Sequence, residues 1–540
     1  MADPPFRINE EYLSDTTKKL SFHEYKEQPR QLQPGFMDKQ RPVQRRSSLP
    51  ILELMTIILL GIVVQIIVGL GSYSGKGRSP LHGDYEAQRH WMEITHHLPV
   101  KEWYRNTSRN NLQYWGLDYP PLTAYHSKLM GWIAHHINPS WVALEESHGI
   151  ETESHKLFMR MTAVISHLLV YTPGVLLWLS TRQAAVSVHP INEAILIVLF
   201  PGLISVDHGH FQYNSVSLGF FLISVYFLIQ RRTLIASVFF VLALNYKQME
   251  LYHSLPIFVY ILAVSVRILY DQTDKTITFD FLTSAAALWK VAFTTVCAFL
   301  MMWTPIAFYG DEDSALDALK RIFPFERGLF EDKVASFWCA FNPLFKFTSL
   351  NPQIMMKLSL ASVIITSLPS LGLLFLAPTS RNLRFSLFIV SLNFFLFSYQ
   401  VHEKSILLAA IPALLLIQEL PIAVFSFLTT ACCSLFSLCI KDENEKHFIL
   451  FFAYFLYMFT VIPKTAGRLR YLFLIRGLLS FFFNILEMYG SPPTRFPHLF
   501  PYLTAFYSSI SFLLDLVYLN YYMIDSYLMA SPNQGKPKND

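Results

Sequence analysis

What most constrains this chain is a recurrence of apolar runs, each on the scale of a bilayer, from Ile51 almost to the C-terminus. A helix needs about 20 mostly apolar residues to cross about 30 Å of hydrocarbon, and helices satisfy their own backbone groups there. The runs fall near 51–70, 160–181, 192–206, 212–230, 234–250, 252–270, 284–309, 354–377, 385–399, 405–420, 421–440, 447–463, 471–488 and 501–523. The expected fold is all-α, a polytopic membrane bundle of about 14 transmembrane helices. With 52% hydrophobic and 15% charged residues, the chain has too little polar surface for a soluble protein. A net charge of +4 without a basic, aromatic-interleaved stripe argues against nucleic acid as a partner. Cys297, Cys432, Cys433 and Cys439 lie in apolar runs and Cys339 in a loop, none at metal-ligand spacing from a histidine. Neither a disulfide framework nor structural zinc is expected.

Residues 1–48 are polar and basic, without the cleavable apolar core of a signal peptide, and read as a cytoplasmic tail. The first run then acts as a signal anchor. Alternating sides from there places Arg182, Arg231 with Arg232, Arg267 with Lys275, Arg381 with Arg384, and Lys464 with Arg468 and Arg470 in the cytoplasm, as the positive-inside rule asks. A catalytic membrane module over 49–404, further spans over 405–523 and a cytoplasmic tail over 524–540 follow. Pro412 and Pro421 leave 405–440 open to a kink or re-entrant hairpin. The opposite face carries loops 71–159, 207–214, 310–353 and 400–404. The first holds an N-glycosylation acceptor, Asn106-Thr107-Ser108, and an amphipathic stretch, Leu122 to Ile137, that reads as a helix lying in the interface.

Four polar clusters share that face, with segments 83–86 and 116–121 of the first loop counted as one. Gly83-Asp84-Tyr85-Glu86 opens an amphipathic, charged segment; Asp84 reads as a helix cap and also as a carboxylate placed to act as a base. Gly116-Leu117-Asp118-Tyr119-Pro120-Pro121 reads as a turn. Asp207-His208-Gly209-His210-Phe211-Gln212-Tyr213-Asn214 sets polar groups between two apolar runs, where unpaired burial costs several kcal/mol, so it implies a polar cavity; its short spacings suit a loop more than a zinc cage. The basic residues of 321–333 and of Gln400-Val401-His402-Glu403-Lys404 are either solvated loop charges or a phosphate clamp.

Together with Tyr73-Ser74-Gly75-Lys76-Gly77, His90-Trp91-Met92-Glu93-Ile94-Thr95 and Arg327-Gly328-Leu329-Phe330-Glu331-Asp332-Lys333-Val334-Ala335, these motifs make the chain resemble, from about Gly71 to Lys404, a eukaryotic family of glucosyltransferases. Its members build lipid-linked oligosaccharide and are GT-C-class enzymes that use dolichyl-phosphate sugars. The wording around His90 is nearest the member that adds the first glucose. The resemblance implies transfer of glucose from dolichyl phosphate glucose to the terminal mannose of Man(9)GlcNAc(2)-diphosphate-dolichol, in alpha-1,3 linkage with inversion. It implies a multi-pass enzyme of the endoplasmic reticulum membrane with its active site in the lumen; the expected partners are its substrates and the membrane lipids, with the chain a monomer. It maps the family's base onto Asp84 and implies neither metal nor other cofactor. Candidate substrate or donor-phosphate contacts are Glu86 and Arg89; His208, His210, Gln212, Tyr213 and Asn214; Arg321, Arg327 and Lys333; and His402, Glu403 and Lys404. The alternatives are the sister enzyme that adds the second glucose and, from another class, a lipid or sugar transporter. A transporter is opposed by the absence of a repeated half and by the one-sided polar clusters.

Overall fold

The computed structural model describes residues 50–181, 187–271, 276–323, 334–463 and 466–529. The N-terminal tail, residues 530–540 of the C-terminal tail, and Arg182, Lys275, Arg327, Lys333 and Lys464 lie outside the described residues.

Among the described residues apolar sequence becomes helix, with one short antiparallel hairpin pairing Ile268–Asp271 with Thr276–Phe279. Within the first half run α1 (Ile51–Gly69), α2 (Asp84–His97), α3 (Pro121–Ile137), α4 (Glu153–Ser180), α5 (Pro190–Phe211), α6 (Asn214–Ile229) and α7 (Thr233–Tyr246). Among the described residues eight helices are long and apolar enough to cross a membrane: α1, α4, α5, Phe281–Tyr309, Pro352–Leu376, Pro421–Lys441, Leu469–Tyr489 and Leu499–Met529. Three shorter apolar helices, α6, α7 and His447–Val461, stand at further predicted runs. The run at 405–420 is a composite, a 3₁₀ turn Glu403–Ile406 leading into Leu407–Leu414.

Exposure shows which surfaces need lipid. The apolar window of Phe281–Tyr309 is only 6% buried, and Trp289, Phe293, Leu300, Met301 and Phe308 stand open along it. So continuous an apolar face is stable against acyl chains and not against water. The chain is a multi-pass membrane protein.

Two loop segments close over one end of the bundle. Arg105 Nε donates to Asp317 (2.8 Å) and its two terminal nitrogens to Asp311 (2.5 and 2.9 Å), tying the first long loop to the segment after Tyr309. Leu117, Ile306, Ala318 and Ile322 fill the apolar layer beneath. Helix α3 begins one residue earlier than expected, and Leu129, Trp132 and Ile137 stand exposed on it.

The segment after Gly83 departs from the amphipathic reading. From Tyr85 to Thr95 every residue of α2 is buried. Its charged residues and His90 are paired among themselves: Arg89 lies 2.6 Å from Glu86 and 2.6 Å from Glu93, and His90 Nδ1 is 3.1 Å from Glu93. Mutual pairing at i,i+3 and i,i+4 removes the penalty that would otherwise hold such residues at a surface.

Candidate active site

Asp84 is the first residue of α2, and the cap position before it belongs to Gly83, which offers no side chain. The backbone delivers the carboxylate by close approach. Gly75 has φ +75°, and a Cβ there would lie 2.0 Å from the Gly83 nitrogen, so only glycine lets the two strands of chain meet. Ser74 then accepts from the Asp84 amide through Oγ (3.1 Å), while its own amide donates to the His210 carbonyl (3.0 Å). Two motifs widely separated in sequence are thereby held against each other.

The His210 side is set by an unusual turn. Ser205–Phe211 ends α5 as a π-helix, and Phe211 takes φ 89°, a left-handed conformation costly for an aromatic residue. His210 and Gln212 flank that residue, and both aim at Asp84: His210 Nε2 lies 3.0 Å from Oδ2, and Gln212 Nε2 donates to the same oxygen. Arg160, buried at the start of α4, secures the turn by donating to the carbonyls of Gly209 (2.8 Å), Ser72 (2.9 Å) and Gly69 (3.0 Å).

Lys404 completes the cluster from the far side of the chain. Its ammonium sits 2.5 Å from Asp84 Oδ2 and 3.3 Å from His210 Nε2. The Asp84 side chain keeps 24% of its exposure and Lys404 16%, so the pair is sheltered but reachable. Burial by itself would raise the Asp84 carboxyl; Lys404 and His210 outweigh it and hold the group well below the usual carboxylate range. For the reciprocal reason, Lys404 is raised despite its burial, chiefly by Asp84.

Behind this lies a support that the sequence reading missed. Asp442 Oδ2 is 2.6 Å from His210 Nδ1, so each ring nitrogen faces a carboxylate and the imidazole bridges Asp442 and Asp84. Asn444 exchanges two hydrogen bonds of 3.0 Å with the backbone of Ser72, docking the Asp442 turn onto the Ser74 loop. Lys247, also missed, donates to Asn214 (2.5 Å) and Gln212 (3.1 Å), and Asn214 Nδ2 to Asp207 (2.8 Å). The charged run Lys441-Asp442-Glu443-Asn444-Glu445-Lys446, caught between two apolar segments, is the signal that was available.

The remaining candidates divide plainly. His210, Gln212 and Lys404 touch Asp84, and Asn214 supports Gln212 from one step away (3.1 Å). His402 and Glu403 share the Lys404 turn. Arg321 donates to the Gly116 carbonyl (3.1 Å), bracing the turn before Asp118. Three others are turned to internal packing. His208 faces His167 (3.4 Å), the Tyr213 hydroxyl meets Thr162 (2.6 Å), and Arg89 is consumed by Glu86, Glu93 and Ser147. Glu86 also accepts from Tyr114 (2.8 Å), so this group locks α2 in place.

Asn106 is exposed on the first long loop. A glycan there is expected to give a mobility shift that glycosidase removes and Asn106→Gln abolishes; a tag in the same loop that is reached from the cytosol would invert the topology.

The profile of the ALG6, ALG8 glycosyltransferase family matches residues 57–519. A probable dolichyl pyrophosphate Man9GlcNAc2 alpha-1,3-glucosyltransferase of Caenorhabditis elegans is 46% identical over 473 residues, covering 87% of this chain and 89% of its own length. The dolichyl pyrophosphate Man9GlcNAc2 alpha-1,3-glucosyltransferase of Gallus gallus is 42% identical over 498 residues, 87% and 96% of the two chains. That of Saccharomyces cerevisiae is 42% identical over 367 residues, 67% and 64%. Since the profile spans nearly all of the membrane bundle and carries every described residue of the Asp84 cluster, the chain belongs to the ALG6, ALG8 glycosyltransferase family.

Proposed function

We propose that this chain is an inverting alpha-1,3-glucosyltransferase that moves glucose from dolichyl phosphate glucose to the terminal mannose of Man(9)GlcNAc(2)-diphosphate-dolichol. The observation that carries the reading is the convergence of Lys404, His210 and Gln212 on one oxygen of Asp84. It is supported by relatives whose names specify this acceptor and linkage.

The chemistry follows from those positions. Among the described residues the polar side chains around the Asp84 carboxylate all take Oδ2, leaving Oδ1 for an acceptor hydroxyl. A beta-linked donor and an alpha product require one displacement, with one base on the acceptor side. Phosphate is a leaving group that needs little protonation, so cationic side chains suffice opposite the base, and no metal is assigned to the reacting atoms. With no ligand bound, Lys404 neutralises Asp84 and makes it a weak base. An arriving donor phosphate competes for Lys404, with His402 on the same turn and Arg327 and Lys333 as further candidates; as Lys404 shifts toward phosphate, Asp84 becomes the stronger base when the acceptor is in place.

In this reading the site opens to the endoplasmic reticulum lumen and the enzyme acts as a monomer. The fourteen apolar runs cross in GT-C-like fashion, the Glu403–Leu414 composite counted as one. The module bounds remain 49–404 and 405–523. Purified protein given a dolichyl-phosphate-glucose analogue should glucosylate Man9GlcNAc2-diphosphate lipid and leave an already monoglucosylated acceptor untouched. The reverse preference assigns the second-glucose reaction, and no transfer to either removes the enzymatic reading.

A further inference from the structure

Far from Asp84, the C-terminal ends of α2 and α3 bring four histidines together: His96 and His97 close α2, and His135 and His136 lie in the last turn of α3. We propose that His96, His97 and His135 form a zinc site that clamps these two helix ends. Their ligand nitrogens all lie within 4.8 Å of one another. A zinc–imidazole distance of 2.0–2.1 Å places ligand nitrogens about 3.3 Å apart in a tetrahedron, so modest side-chain rotations close the site around the ion. Ring centroids are 4.7 Å apart for His96 and His97 and 4.8 Å for His96 and His135.

The approach is built into the backbone. A Cβ on Gly131 would fall 2.4 Å from the Met92 carbonyl oxygen and 3.2 Å from the His96 Cβ, so glycine is what lets α3 come close enough for the rings to meet. Two further observations favour a cation. The Nδ1 of His135 is shut off from solvent without a hydrogen-bond partner among the described residues. Both helices also point their C-terminal, partially negative ends at the cluster. The neighbouring cation is directed elsewhere: Lys128 donates to the Thr95 carbonyl (3.2 Å) and lies over the Trp103 ring (5.5 Å). His97 is exposed, which leaves room for a water as fourth ligand.

Zinc here sits one length of α2 from Asp84, roughly 20 Å at 1.5 Å per residue, so its role is to fix the helix pair rather than to act on substrate. The test uses chelator-stripped full-length protein with a tag free of histidine, titrated with Zn²⁺ and followed by calorimetry and thermal unfolding. One equivalent is expected to bind and to raise the unfolding temperature. His97→Ala and His135→Ala should each weaken binding at least about tenfold and abolish the zinc-dependent rise. Co²⁺ should give the visible absorption of a tetrahedral site in the wild type alone. His97→Ala alters an exposed side chain, so its metal-free unfolding temperature should match the wild type. Binding that is absent from the wild type, or that persists unchanged in the His135→Ala protein, overturns the assignment.

Discussion

Asp84→Asn is expected to lower turnover by about two to four decades, the range for losing a positioned base, while donor binding stays at least as tight. The amide keeps the shape of the carboxylate and still accepts from Lys404 and His210, but it cannot take the proton of an acceptor hydroxyl. Donor affinity should hold because Lys404, no longer neutralised, is left with its charge for phosphate. Single-turnover rates with a synthetic donor, beside an independent donor-binding measurement, separate the two effects. Turnover within a few-fold of wild type would take Asp84 out of the reaction.

The second large effect is expected at Lys404. Lys404→Met should cost about 3 kcal/mol in the transfer step, roughly a hundredfold in rate, because a donor to the charge developing on phosphate is lost. It should also move the pH profile, in a direction that can be worked out. Burial raises the Asp84 carboxyl, and Lys404 is the foremost group opposing that rise. Without the ammonium the carboxyl titrates at higher pH, so the acid limb of kcat/KM shifts upward; Lys404→Arg should leave it nearly in place. The wild-type ion pair is in force from the ordinary carboxylate value of about 3.9 up to the raised Lys404 value, and on the acid side is lost as pH falls through the lowered Asp84 value, so neutral solution leaves it intact. A rate loss with an unmoved limb would make Lys404 a phosphate contact alone.

The helices were legible because hydropathy is a local property: the run at 354–377 needs no knowledge of any other residue, and it appears as the helix Pro352–Leu376. The Asp84 cluster was legible only in part. Asp84, His210, Gln212 and Lys404 could be named from dense polar motifs, yet their contact joins residues 126 and 320 positions apart, which one sequence does not encode visibly. Asp442, 232 positions from His210, is inconspicuous in sequence because its charged neighbours look like an ordinary connecting loop. The reverse error befell Glu86 and Arg89. Their spacing of three, with Glu93 four further on, is that of an intrahelical ion pair, and it outweighed their nearness to Asp84. Tyr213 and His208 were carried along by proximity in the chain, although adjacent residues of a wide turn project in different directions. The histidine pairs of α2 and α3 stand far apart in the chain, and only the packing of the two helices brings them together.

The π-turn at Ser205–Phe211 has a consequence for how sequences of this kind can diverge. A turn of that width accommodates one more residue than an α-turn, and in an α-helix each residue advances the side-chain direction by about 100°. Loss of a single position would let the segment relax to ordinary helix, relieve the strain at Phe211, and swing His210 and Gln212 off Asp84 together. Point changes in the apolar part of α5 can be absorbed one at a time, whereas a change of length there shifts the frame of the whole site. The spacing from Pro201 to Asn214 should therefore be more resistant to insertion and deletion than the identities of most residues within it.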